Sequence, residues 1–151
     1  MHTQIRDARP DDAAAISQVI LAALRHSNAR DYPPEVIAQV VQHFAPAQVL
    51  NLINRRSVYV ATLTDRVVAT ASLDRSVVRS VFVDPTLQGL GIGKALMLTL
   101  ETVAKSNGVG VLQVPSSITA QGFYAALGFR KVRDEFHGAE RTILMDKRLP
   151  C

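Results

Sequence analysis

The sequence predicts a mixed α/β domain whose sheet is part antiparallel and part parallel. Three observations carry this. Residues 57–83 contain three β-branched runs separated by short polar turns, which read as an antiparallel meander. Behind the last run comes a glycine-rich turn, and behind that a run of apolar positions at helical spacing. Helical faces precede the meander, and strands alternate with helices after it.

In chain order, residues 3–9 (TQIRDAR) read as a first strand. Pro10, Asp11 and Asp12 open a helix with favourable N-terminal chemistry, and Ile16, Val19, Ile20, Ala23 and Leu24 share one of its faces. HSNARDYPP is a loop. Pro34 and Glu35 start a second helix with Val36, Ile37, Val40, Val41 and Phe44 on its face, and Pro46 breaks it. A third helix runs from Ala47 to Arg55. The strands of the meander are 57–63, 67–73 and 77–83, with a turn at Thr64 to Arg66. Ile92, Ala95, Leu96, Leu100 and Val103 mark a helix that stops near Asn107-Gly108. Residues 109–114 are a strand ended by Pro115 and two serines. Thr119 to Leu127 is a short helix closed by Gly128, and FRKVRDEF with RTILMDK forms a last hairpin.

Composition narrows the function classes. The chain has 151 residues, about one domain, and is 48% hydrophobic, enough for a core. Its 17 Lys and Arg exceed 13 Asp and Glu by four, but the charges are spread out. No basic run or aromatic-studded basic strand suggests a nucleic-acid groove, although a basic chain favours anionic ligands. The one cysteine, Cys151, allows no internal disulfide and suits a reducing cytoplasm. The N-terminal residues lack the apolar core of a signal peptide, and no apolar run is long enough for a membrane span. No HExxH or Cys/His set is present, so no metal is expected.

The stretch VDPTLQGLGIGKA, residues 83–95, places three glycines where a helix should begin. A nucleotide-hydrolase phosphate loop would need Gly at 88 and Ser or Thr at 95, where Gln88 and Ala95 stand. The dinucleotide fingerprint would need Gly at 94, which is Lys94. The remaining pattern is Q-x-x-G-x-G, formed by Gln88, Gly91 and Gly93. Glycines let the backbone curl tightly and approach a ligand. The first amides of the following helix have no internal partners, and with the helix dipole they make an anion site. Lys94 opposes that dipole unless an anion is bound. An ordinary glycine turn with a solvated lysine is the plain alternative.

Further along, Phe123-Tyr124 sits on a short helix just ahead of Gly128-Phe129, where a strand starts. Together with Gln88-Gly89-Leu90-Gly91-Ile92-Gly93, this resembles the GNAT superfamily of N-acetyltransferases, well over residues 57–148 and by order of elements alone over 1–56. The resemblance implies one acyl-CoA N-acyltransferase domain over 1–151. Its sheet would be mixed and mostly antiparallel, with a splayed parallel strand pair and flanking helices. The splay would lie between the strand ending Val81-Phe82-Val83 and the strand 109–114. It would admit the pantetheine arm of acetyl-CoA, with backbone groups of Val81 and Val83 pairing to it. Gln88, Gly89, Leu90, Gly91, Ile92, Gly93 and Lys94 would hold the pyrophosphate. A backbone amide within Val81–Val83 would polarise the thioester carbonyl. Tyr124 would protonate the departing thiolate.

Two positions depart from the family pattern. Ser117 stands where many members have an Asn that contacts the CoA arm. The central strands VVRSVFV and VLQV carry no acid to act as general base. That leaves water, or Asp31, Glu35, His26, His43 or Asp74, to take the amine's proton; His137 and Glu140 lie beside Gly138 in a hairpin turn. The acceptor is expected to be a primary amine of a small molecule or peptide. Residues 25–44 would wall its pocket, Tyr32 would line it, and Asp31 and Glu35 would attract a cationic amine. An edge strand near 141–147 is the expected site of any homodimer pairing. The competing function is a catalytically silent CoA-binding or partner-binding domain on the same scaffold.

Overall fold

The computed structural model describes residues 2–150, so Cys151 lies outside the described residues. Strand β1 (Gln4–Asp7) leads through a 3-10 turn at Pro10–Asp12 into helix α1 (Ala13–His26). Helices α2 (Pro34–Gln42) and α3 (Pro46–Arg55) follow, then β2 (Ser57–Leu63), β3 (Arg66–Asp74) and β4 (Val77–Val83). Helix α4 (Ile92–Ser106), β5 (Val111–Ser117), α5 (Gln121–Ala126), β6 (Arg130–His137) and β7 (Glu140–Arg148) complete the chain. The strands form one seven-stranded sheet in the order β1-β2-β3-β4-β5-β7-β6, antiparallel everywhere except the parallel pair β4-β5. This is the expected mixed sheet with helices on its faces.

Apolar residues on opposite faces of the sheet make two cores. On one side α4 buries Leu96, Met97 and Leu100 against Ala61, Ala69, Ala71 and Val78, together with Tyr124 and Phe129. On the other, Ile16, Val19, Ile20 and Leu24 of α1 and Val49 of α3 cover Val60 and Val67. Val60 and Ala61 are consecutive yet belong to different cores, as the two-residue period of a strand requires. Burying each large aliphatic side chain contributes about 1.5–3 kcal/mol. No single helix among the described residues is long and apolar enough to cross a membrane.

Several sequence expectations shift. Pro10–Asp12 is a separate 3-10 turn rather than the first turn of α1. Asp12 holds that turn by accepting from the Arg9 amide (2.7 Å) and from both terminal nitrogens of Arg6 (2.7 and 3.0 Å). Pro46 does not end α2; it begins α3, where its missing N–H costs nothing.

The strand expected at 109–114 instead runs from 111 to 117, straight through Pro115. Gln113 donates to Ser76 O (2.9 Å), so its N–H faces β4, and by alternation the Pro115 nitrogen faces the same way. The β4-β5 ladder has only the Val77–Gln113 pair, so Pro115 removes no bond, while the other edge of β5 stays paired with β7 along its length.

The strand expected at the sheet edge, 141–147, is interior: β7 lies between β5 and β6. Its run Ile143, Leu144, Met145 is buried, whereas β6 is almost wholly exposed. The edges of the sheet are β1 and β6.

Candidate active site

Strand β4 carries an irregularity that sets the site. Ser72 pairs with Arg79 and Thr70 with Phe82, so between these pairs one residue of β3, Ala71, faces two of β4, Ser80 and Val81. The extra residue is Ser80, which adopts φ 55, a left-handed backbone unusual for a non-glycine residue. This bulge resets the alternation. Val78, Val81 and Val83 pack on the α4 side, while Phe82 turns to the α1 side and meets Phe44 edge-to-face at 5.8 Å. Asp84 N donates to Val68 O (2.8 Å), so Phe82 also directs its backbone groups to β3. The backbone groups of Val81 and Val83 are left facing the gap toward β5, and that ladder has already ended at Val77. VVRSVFV reads as a plain strand, and nothing in it except the short polar Ser80 hints at the bulge.

The glycine-rich turn follows directly. Asp84 caps a 3-10 turn at Pro85–Leu87, accepting from Thr86 N (2.9 Å) and pairing with Arg66 at 3.3 Å. Gly91 is the N-cap of α4 with φ 85, and a Cβ there would meet nothing within 4 Å, so backbone conformation rather than space requires glycine. Gly93 is different: a Cβ would lie 3.2 Å from the Phe123 ring. The first helical bond runs from Ala95 N to Gly91 O (3.0 Å). Among the described residues, the amides of Gly89 through Lys94 donate to no acceptor. No side chain caps this end of α4. Lys94 is exposed beside it. Gln88 reaches back from the turn to donate to Ser27 Oγ at the end of α1 (3.1 Å). Ile92 is buried in the core, and the Leu90 side chain is 54% exposed, so Leu90 offers the site only its backbone.

Two cavities meet at the splay. One, of about 430 Å³, runs along Gln88, Gly89, Gly91, Gly93 and Lys94 to Val81, Phe82 and Ser117. The other, of about 310 Å³, lies under α1 and α2 and reaches Arg56, Arg79, Ser80, Tyr124 and Thr142. Asn28, Val81, Phe82, Ser117 and Ala120 line both. Tyr124 packs edge-to-face on Phe123 and Phe129, at 5.1 and 5.6 Å. Burial raises its phenol pKa well above the ordinary value, so it stays protonated. Ser117 Oγ accepts from Ala120 N (3.1 Å) and keeps its own proton to donate. The Thr142 hydroxyl is buried with no partner among the described residues.

The N-terminal candidates are sorted differently from expectation. Asp31 accepts from the Thr119 hydroxyl (2.7 Å), and neither it nor Glu35 lines either cavity. Asp74 pairs with Arg79 at 3.6 Å, and His26 faces Arg30 at 3.5 Å; both also lie outside the cavities. His43, His137 and Glu140 do line the cavity under α2. The Tyr32 ring lines it too, but its hydroxyl is occupied: it donates to Arg141 O (2.6 Å) and accepts from Ile118 N (2.8 Å), tying the α1–α2 loop to the sheet. Burial raises the Tyr32 pKa, which suits that structural bond. Asn28, Arg56, Arg79, Ser80 and Thr142 were missed from sequence. Arg79 and Ser80 come from β4 and the other three from three further segments, and only the packing brings them to one wall.

Comparisons with known proteins agree with the fold. A crystal structure of a GCN5-related N-acetyltransferase from Rhodopseudomonas palustris superposes with a TM-score of 0.93 at 24% identity, covering 99% of this chain and 97% of that one. The PaiA N-acetyltransferase of Thermoplasma acidophilum, solved in complex with coenzyme A, superposes with a TM-score of 0.86 at 19% identity, covering 98% and 99%. At these identities the likeness shows the fold. In sequence, glucosamine 6-phosphate N-acetyltransferase of Trypanosoma brucei brucei is 37% identical over 78 residues, 44% of this chain and only 53% of that relative's length. The uncharacterized N-acetyltransferase YafP of Escherichia coli is 26% identical over 132 residues, 87% and 84% of the two chains. A family model described as an acetyltransferase (GNAT) domain matches residues 28–146. That span takes in the splayed strands, the glycine turn and Tyr124, and the chain belongs to the GNAT acetyltransferase family.

Proposed function

We propose that the protein transfers an acetyl group from acetyl-CoA to a primary amine of a small molecule or peptide by direct attack. The observation that carries this reading is the row of unpartnered amides from Gly89 to Lys94, at the end of a cavity that leads into the gap beside Tyr124. Unpaired amides, a helix N-terminus and Lys94 match a diphosphate. The backbone groups of Val81 and Val83 face the gap, where they can pair with an amide-bearing arm as a neighbouring strand would. Phe82 and Ser117 line both cavities and flank the same arm. That the relative from Thermoplasma was solved with coenzyme A supports the assignment.

When bound, acetyl-CoA supplies a thioester whose carbonyl carbon an amine can attack and whose sulfur can leave as a thiolate. An amide within Val81–Val83 polarises the carbonyl oxygen as negative charge grows on it. Tyr124, held protonated by burial, gives its proton to the sulfur. The amine's own proton has three titratable recipients along the cavity, His43, His137 and Glu140, in addition to water.

The test combines cofactor binding with thiol release. At about a hundred times its Kd, acetyl-CoA is expected to raise Tm by roughly 5–10 °C through mass action. A panel of primary amines should then release free thiol. Absence of CoA binding overturns the proposal. Binding without thiol release from any amine favours the silent CoA-binding domain.

A further inference from the structure

We infer that the amine acceptor carries an anionic group, a carboxylate or a phosphate, and that Arg56 receives it in the cavity under α1 and α2. This deepens the acetyl-transfer reading and rests on it. Arg56 follows α3 directly, and its half-buried side chain lines the acceptor cavity. Among the described residues no carboxylate lies within ion-pair distance of it. Among the described residues, the one hydrogen bond of its guanidinium runs from Nη1 to Ser80 Oγ, long at 3.3 Å.

A second guanidinium, Arg79, lines the same cavity, and its pairing with Asp74 is loose at 3.6 Å. Two cations therefore share a wall with a single carboxylate residue, Glu140. Burial, and after it the charge of Arg79, lowers the Arg56 pKa, outweighing the opposite pull of Asp74. Arginine does not escape such a place by losing its proton. A ligand anion supplies the missing partner, and the planar fork of a guanidinium fits a carboxylate or phosphate with two parallel bonds.

The phosphates of CoA are not that partner. Their cradle, Gly89 to Lys94, lines the other cavity, which Arg56 does not reach. The sequence had suggested an acidic pocket built from Asp31 and Glu35, but neither lines it, and the cavity is cationic instead.

The test uses matched acceptor pairs: amino acids against their amides for the carboxylate arm, and glucosamine 6-phosphate against glucosamine for the phosphate arm. The wild-type protein should prefer the anionic member of at least one pair by about 10-fold or more in kcat/KM, the scale of one charge-assisted contact. In Arg56→Gln that ratio should collapse toward one through KM. If Arg56 merely braces the bulge at Ser80, both members will slow together and the ratio will survive, which overturns the inference. Equal use of both members by the wild type also overturns it.

If no amine in the panel is acetylated, the acetyl-transfer reading fails by itself, and a second measurement decides the anion claim. In protein saturated with CoA, acetate or inorganic phosphate should raise Tm in the wild type and not in Arg56→Gln. Equal responses would defeat the claim.

Discussion

Ser80 shows how much one backbone angle decides. Its left-handed conformation costs about 1–2 kcal/mol for a residue with a Cβ. In return, the next three residues exchange faces, and Val81 and Val83 aim their backbone groups into the gap. Gly91 makes a similar turn at the head of α4 without that cost. Tyr124 is governed by burial. Its hydroxyl makes no hydrogen bond to another described residue, its ring is clamped by two aromatics, and its raised pKa keeps the proton on the oxygen. Tyr124→Phe should therefore lower kcat by about 100-fold or more, the low end of acid catalysis, with CoA affinity from calorimetry nearly unchanged. Because the raised pKa keeps the phenol protonated, the wild-type rate should show no loss from Tyr124 ionisation up to about pH 10. Full activity in the variant would remove Tyr124 from the reaction.

Among the elements, β4 and β5 are held together at one end only. Antiparallel neighbours on their outer edges, β3 and β7, carry the hydrogen bonding, so the inner edges can part without unravelling either strand. Pro115 fits there because its nitrogen faces the open side. At the far edge of the sheet, β1 is tied to the turn before α1 by Arg6 and Asp12. The Arg6 hydrogen bond is the main cause that holds the Asp12 carboxyl below its ordinary value of 3.8. A carboxyl with a depressed folded pKa stabilises the protein above that ordinary value and loses its contribution as pH falls through the folded one. Asp12→Asn should thus cost about 1 kcal/mol near neutral pH, allowing for solvent screening of a part-exposed pair. The gap between wild type and variant should narrow below about pH 4 in denaturant melts. A gap independent of pH would assign the effect to something other than charge.

For the molecule as a whole, the two cores have different duties. The α4 core fixes the glycine turn and Tyr124 on one side of the sheet; the α1 core fixes Phe44 and Phe82 on the other. The two cavities open between them and share the splay. Leu100, fully buried in the α4 core, offers a test of this coupling. Leu100→Ala should cost about 2–5 kcal/mol and lower Tm by roughly 4–20 °C in calorimetry. Saturating CoA should recover part of that loss, since a ligand of the native state stabilises variant and wild type alike. A variant that melts as the wild type does would show that this core is not what holds α4.

Read from residues alone, the chain already declared its meander, the glycine turn with its unpaired helix-end amides, the helix that follows it and the short helix that carries Tyr124. These are local: strand period, glycine conformation and helix-end chemistry act over a few neighbouring residues, and a sequence displays them directly. The bulge at Ser80, the interior place of β7, the commitment of the Tyr32 hydroxyl to the sheet and the cationic wall of Arg56 and Arg79 were decided by tertiary structure. Each depends on which distant segments meet, such as α3 with β4 or the α1–α2 loop with β7. Contacts of that kind are fixed by burial of whole faces against one another, which no short window of residues encodes.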